Sequence, residues 1–521
     1  MTTLAPPEQA RPQLAHRQIM LLMGGLMTGM LLAALDQTIV GTALPTIVGE
    51  LGGLDHYSWV VTAYLLASTA STPLYGKISD LYGRRPVLLF AILTFLVGSL
   101  LAGMSQDMNQ LIATRALQGI GAGGLMTLAF TIVSDVIAPR ERARYQGLFG
   151  AVFGISSVAG PLVGGYFAET DWRWIFYINV PLGVFALFVC SRVLRLVPHT
   201  RRDHRIDYLG ATLMVAAVSS WLLALSWGGN EYAWGSPTIL GLLGAGAVLT
   251  ALFIVAEGRA EEPILPLRLF KRATFSLANA GTFILGFAMF GSIIYVPLYL
   301  QIVKGASPTR SGLLMLPMMA GVIVTSIVAG RVISRIGRYK WFPVAGTVIM
   351  GTGLLLFTTL EVGTPLWQAF IYMTVIGVGL GMAMQPLILA VQNAIDLRDM
   401  GAGTSAATFF RSLGGSVGVA ALGAVMNSRL AEQMSGSGMA GVSINSPAEV
   451  RKLPPQILAA VEHMFVNALH PVFLAAAVVA FVGTVITIAL PDKPLQGGPA
   501  PTEGAREEDA AAVMEAKAAA F

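Results

Sequence analysis

The chain reads as an all-α polytopic membrane protein, and three observations predict it. Only 12% of its residues are charged, about half of the roughly 25% that a soluble domain carries. Mean hydropathy is +0.69, and apolar runs of about 20 residues, long enough to cross a bilayer as a helix, recur along the whole sequence. Alternation at period two is absent and the runs are about twice as long as a barrel strand needs, which excludes a membrane β-barrel.

Charge clusters and turn residues divide the chain into fourteen expected spans, near 19–44, 58–77, 86–104, 108–134, 142–168, 174–193, 206–227, 236–257, 273–301, 310–331, 340–359, 364–392, 401–427 and 463–489. The first is too long for a signal peptide and has no small-residue cleavage pattern behind it. Several neighbours are so close that their links must be tight hairpins at the membrane surface, because lipid tolerates only backbone that satisfies itself. The expected irregular parts are a tail at 1–18, a loop at 428–462 and a disordered tail at 490–521 rich in Pro, Gly, Ala and Glu.

Charge bias orients the spans. With both termini cytoplasmic, inside segments hold 25 of the 33 Lys and Arg residues and outside segments six, as the positive-inside rule requires. That asymmetry accounts for the net charge of +5 without a nucleic acid or other acidic partner. Cys190 is the single cysteine and has no partner for an internal disulfide, and no Cys/His spacing suggests a metal site. No GxxxxGK[ST] motif is present, which argues against ATP-driven transport, and no cofactor is expected.

A repeat organises the spans. Gly76 to Arg85, read as a loop after the second span, returns as Gly330 to Arg338 at an offset of 254 residues, and the same offset carries Gly160-Pro161 onto Gly414-Gly415. Two six-helix bundles, 19–193 and 273–489, with an additional pair at 206–257 between them, account for all the spans and suggest alternating access between related halves.

Ionisable residues within spans are costly and mark candidate sites. Asp36 is the one acidic residue placed deep in a span; it is either a packed, paired or neutral carboxyl, or a proton-titrating group, and the latter is favoured. Arg115 enters the fourth span about 10 Å below the outer edge, at a depth similar to Asp36, so the two belong to one polar region without direct contact being implied. Gln118 follows on the same helical face. Arg411, about ten residues into the thirteenth span, is too deep to snorkel and either lines a cavity or braces helices. Lys77, Asp80, Arg84 and Arg85 cluster at one membrane edge, where Asp80 is suited to cap a neighbouring helix or bind an arginine. Gly154, Gly160 and Pro161 permit close helix approach and a bend. Gln37, Gln118, Tyr295, Gln385, Phe410 and Arg411 are candidate substrate-cavity residues, and Trp59, Tyr64, Phe287, Tyr299, Gln301 and Asn393 further possible contacts. Trp172, Trp174 and Tyr177 look like an interfacial belt.

Leu-Asp36-Gln-Thr-Ile-Val with Ala-Leu-Pro45, the Gly76 to Arg85 segment, Arg115 with Gln118 and the glycines after it, Gly154 to Gly165, and the run from Trp172 to Pro181 together resemble the major facilitator superfamily. More narrowly, they resemble its fourteen-span drug:proton antiporters of the EmrB/QacA type, over about residues 18–490. The resemblance implies a monomeric exporter of lipophilic, often cationic compounds in a bacterial cytoplasmic membrane. It also implies the proton as coupling ion, Asp36 and Arg115 in the proton pathway, and conformational coupling through Asp80 and the Gly-Pro segment. The alternative is a dedicated exporter of one endogenous metabolite, lipid or antibiotic. Further deep acidic residues found in the second half of some multidrug relatives are missing here, which weakens an expectation of several protons per cycle.

Overall fold

The computed structural model describes residues 15–51, 57–196, 207–229, 231–436, 450 and 453–495. Most of the expected tails, and residues 437–449 and 451–452 of the expected 428–462 loop, lie outside them; much of the rest of that loop is helix, to Gly436 and again from Pro455. The helices are α1 His16–Leu51, α2 Tyr57–Tyr82, α3 Arg84–Gly103, α4 Met108–Val136, α5 Pro139–Thr170, α6 Trp174–Tyr177, α7 Asn179–Val193, α8 Tyr208–Trp227, α9 Pro237–Glu257, α10 Ala273–Ile302, α11 Pro308–Leu314, α12 Leu316–Ile336, α13 Trp341–Phe357, α14 Leu366–Asn393, α15 Met400–Gly436 and α16 Pro455–Ile488. Among the described residues the only extended pairing is an isolated bridge between Gly228 and Tyr232.

Helix fills each of the fourteen expected ranges, but among the described residues twelve helices are both long and apolar enough to cross a membrane. α13 is short, at 17 residues. α2 carries Ser, Thr and Tyr along its length, which its position against α4 and α15 permits, since a protein-facing helix need not match lipid. Two expected spans carry a break of one residue, 174–193 at Ile178 between α6 and α7, which still forms the single candidate span Trp174–Val193, and 310–331 at Met315 between α11 and α12. Pro181 and Pro317 stand within the first turn after each break, where a residue without an N–H is tolerated.

The repeated motif is not a loop. Its residues form the last turns of α2 and α12, and each helix then ends on a glycine with positive φ, Gly83 at 94° and Gly337 at 74°, 254 residues apart. Only glycine adopts that backbone at no steric cost.

α1 packs on α5 and α7, and α4 on α2 and α3; later in the chain α10 packs on α15 and α16, α13 on α14 and α16, and α12 on α14. α8 and α9 pack on each other, with α8 resting on α2. The early and late groups meet along two helix pairs, α5 with α12 and α2 with α15. Repeat-related glycines make both contacts possible. A Cβ on Gly76 would lie 2.5 Å from the Gly401 carbonyl oxygen of α15, and one on Gly330 would collide with the Ala143 carbonyl oxygen of α5.

The apolar core is asymmetric along the bundle. One cluster runs through α1 to α5 and continues at the arginine-rich end into α12, α14 and α15, through Ile333, Ile388, Ile395, Met400 and Ala406. Towards the other end the clusters separate into one built on α10 to α16 and one on α1, α2, α4 and the α5–α6 region. The segment between α9 and α10 straps the arginine-rich end: Lys77 of α2 pairs with Glu262 at 2.5 Å, while Arg268 and Arg272 reach Asp399 at 2.8 Å and Asp396 at 3.1 Å. Leu495 closes the same end, donating its N–H to the Gly337 carbonyl at 2.9 Å.

The aromatic belt needs correction. Trp172 is 1% exposed and donates its indole N–H to Glu50 at 2.8 Å, with Arg173 pairing to the same carboxylate at 2.6 Å. It is the core of a cap joining α1 to α6. These two donors hold the Glu50 carboxyl below its ordinary range. Only Trp174 has the exposure of a belt residue. Cys190 is a packed thiol, fully buried.

Candidate functional site

Asp36 is fully buried and meets Arg115 directly, more closely than the sequence implied. The guanidinium Nη1 lies 2.5 Å from Asp36 Oδ2, and Oδ1 accepts from Gln118 Nε2 at 2.8 Å and Asn179 Nδ2 at 3.2 Å. Arg115 also donates to Gln118 Oε1 at 2.6 Å, and Asn179 continues to Ser99 at 3.0 Å. Tyr64 lies beneath the guanidinium, 4.1 Å from its ring centroid. Every polar contact to the carboxylate is a donor, which suits its ionised, acceptor-only form. The cluster joins α1, α4 and α7 and is sealed rather than facing a cavity.

Glycines bring α5 against this region. Gly160 leaves no room for a Cβ beside Thr38, whose hydroxyl donates to the Ser156 carbonyl at 3.1 Å. On the opposite side, a Cβ on Gly154 would stand 2.6 Å from Ile323, and Pro161 abuts Gly312. α5 is thus wedged between α1 and the α11–α12 pair.

At the arginine-rich end, Asp80 does both things open to it from sequence. Its two oxygens accept the Gly401 and Ala402 N–H groups at 3.0 Å each, capping α15 from the other half of the chain. It also pairs with Arg84 at 2.5 Å. Arg84 is held in turn by Asp135 at 2.6 Å. A carboxylate at a helix amino terminus satisfies unpaired N–H groups and meets the positive end of the dipole. One step deeper, Gln146 of α5 donates to Gln392 of α14 at 2.8 Å, and Gln392 donates to Thr404 of α15 at 3.3 Å. Arg85 donates to the Ser191 carbonyl at 3.2 Å and stays within the early helices.

The proposed cavity residues do not gather in one place. Gln118 belongs to the Asp36 cluster. Gln37 is half-buried. Tyr295 is buried, its hydroxyl 3.4 Å from the Val419 carbonyl, and Phe410 packs edge-on against Phe270 and Phe409. Tyr299, Gln301 and Asn393 make local bonds to the Glu361 carbonyl, Ser311 and the Pro494 carbonyl, and Trp59 packs on Trp227. Gln385 and Arg411 are different. Each is 3% exposed, both side-chain polar atoms of Gln385 lack partners, and so does Nη1 of Arg411. Arg411 lies over Phe153 of α5, 5.7 Å from the ring centroid.

Sequence reasoning missed Asn179, Ser99, Asp135 and the Gln146–Gln392 contact as parts of these networks. Asn179, Gln146 and Gln392 had one available signal, an amide inside an otherwise apolar helix. Which amides would meet depended on packing.

Residues 26–419 match the Major Facilitator Superfamily. An uncharacterised MFS-type transporter of Mycobacterium tuberculosis is 43% identical over 477 residues, covering 90% of this chain and 69% of the relative. The multidrug transporter protein MdtP of Bacillus subtilis is 39% identical over 524 residues, covering 94% and 96%. Among solved structures, the human organic anion transporter MFSD10 aligns with a TM-score of 0.62 over 91% of this chain and 100% of its own, at 13% identity, a likeness of fold alone. With a family match across most of its length and relatives at this identity and coverage, the chain belongs to the major facilitator superfamily and is a secondary active transporter rather than an enzyme.

Proposed function

We propose that the protein exports small lipophilic compounds in exchange for protons by alternating access, with Asp36 as the carrier of the proton. The observation that carries this reading is the buried Asp36–Arg115 pair, satisfied by Gln118 and Asn179 and shared by three helices. Removing one partner from a buried pair costs about 3–5 kcal/mol, because the other charge is left uncompensated. Protonation of Asp36 is such a removal, so it weakens the clamp on α1, α4 and α7 and biases the helix arrangement. Until a proton arrives, Arg115 holds the carboxylate in the clamp.

In this reading fourteen helices cross a bacterial cytoplasmic membrane, arranged as two six-helix bundles plus the α8–α9 pair, with both termini and the arginine-rich end inside. The apolar core that fuses across the halves at that end and separates at the other suits a carrier closed inward. Asp80, Arg84 and the capped amino terminus of α15 form the inner gate. Gly154, Gly160 and Pro161 form the surface on which α5 moves. The name of the Bacillus relative supports a broad range of lipophilic substrates.

The test is flux of a fluorescent lipophilic dye in proteoliposomes under an imposed pH gradient, with Asp36→Asn as comparison. Uphill flux that vanishes in a folded variant is expected. Equal pH-driven flux in the variant refutes the assignment of Asp36.

A further inference from the structure

The charge at the centre of the molecule is positive and unanswered. Arg411 lies eleven residues into α15, about 16 Å from its start, and Gln385 eight residues from the end of α14, about 12 Å, so both are near mid-membrane. The Arg411 guanidinium faces Phe153, and Gln385 Nε2 lies 4.0 Å from where a Cβ on Gly150 would stand. Gly150 and Phe153 are one turn apart on the same face of α5, so the two side chains lie against one stretch of the seam between the halves. Ser326 of α12 fills the space beside Gly150, and Phe153 provides an aromatic wall.

A buried cation is normally paired. The buried acidic residues among those described are Asp36, Glu257 and Asp399; the first is taken by Arg115, the second accepts backbone N–H groups of Ile264 and Leu265, and the third pairs with Arg268. None of these carboxylates serves Arg411, and the site offers no anionic group to a cationic drug. It offers a fixed guanidinium, a free amide with donor and acceptor, and an aromatic face.

We propose that Arg411 and Gln385 form a subsite for an acidic group, a carboxylate or a comparably charged oxygen, on an otherwise apolar and aromatic molecule. The guanidinium binds the anion, Gln385 Nε2 donates a second bond, and Phe153 packs on the apolar body. The inference rests on the transport reading for its purpose, since it names the substrate class of that carrier, but its chemistry is that of equilibrium binding.

Three probes with one body separate the charge from the apolar contact: 2-naphthoate, 2-naphthamide and 2-naphthylmethylammonium. Binding of each to the full chain in nanodiscs is measured by equilibrium dialysis, without a pH gradient, so a failure of proton coupling leaves the result readable. The wild type is expected to hold naphthoate at least about tenfold more tightly than the amide, the scale of a charge-assisted bond. Arg411→Gln erases that preference without changing ammonium binding, and Arg411→Lys retains most of it. Gln385→Met weakens naphthoate several-fold and keeps Arg411 in place, which preserves a test if Arg411→Gln does not fold. Equal binding of naphthoate and naphthamide, no naphthoate binding, or a preference unchanged in folded Arg411→Gln overturns the proposal. Displacement of naphthoate by chloride at equal concentration assigns the site to a small inorganic anion and overturns the organic-acid reading.

Discussion

Asp80→Asn isolates the inner contact between the halves. The carboxylate accepts two backbone N–H bonds from the amino terminus of α15, each at 3.0 Å, and pairs with Arg84 at 2.5 Å. Asparagine keeps the size and one acceptor oxygen, but turns its second position into a donor that faces an N–H and removes the charge. A hydrogen bond to a charged group contributes about 1.5–3 kcal/mol. Arg84 keeps its bond to Asp135 at 2.6 Å, so the principal loss is one such bond, together with a smaller helix-dipole contribution. The ratio of open to closed forms at the arginine-rich end then rises roughly 10- to 150-fold. Spin labels at Tyr82 and Ile336, both exposed and on opposite halves, in a Cys190→Ser background, report the distance by double electron–electron resonance in nanodiscs. A longer-distance population is expected to grow in Asp80→Asn. An unchanged distribution in a folded variant refutes the capping argument.

Asp36→Asn strands Arg115 in a site 1% exposed, and is expected to destabilise the protein by about 3–5 kcal/mol; adding Arg115→Gln recovers much of the loss in thermal melting but no proton coupling, and additive losses would show that the pair does not interact. Gly76→Val forces side-chain atoms into the Gly401 carbonyl and Ser405, so transport is expected to stop and the Tyr82–Ile336 distance to lengthen; full activity would place the α2–α15 contact outside the cycle. Because Glu50 titrates below its ordinary range in the fold, its cap on α1 is fully present above the ordinary glutamate value and is lost as pH falls through the lowered one. The effect is small because the group is well exposed to solvent; Glu50→Gln removes this part of the acid-side melting profile, and an identical profile would rule it out.

The class of fold was legible because the membrane leaves few choices: a chain this apolar must close its backbone bonds within helices. The repeat was legible too, since the offset of 254 relates Gly83 to Gly337, whose positive φ values require glycine at both ends of the repeat. Local signals still misled in places. The motif from Gly76 looked like a loop because glycine and charge resemble turn chemistry, whereas α2 and α12 run into it and end only at Gly83 and Gly337, buttressed by the opposite half. Trp172 looked interfacial by type and is core by position.

The order of residues is enough for an inventory: a helical membrane chain, a repeat, and a short roster of charges too costly to bury without purpose, Asp36, Arg115 and Arg411 among them. The pairings come from packing. Asp36 and Arg115 are 79 residues apart and share one bond, Asp80 caps a helix more than 300 residues away, and Arg411 is left with an aromatic ring and no carboxylate. Helical periodicity specifies which face a side chain occupies, but the partner across that face is set by which helices pack and at what height, information carried by the whole assembly rather than by any segment of it.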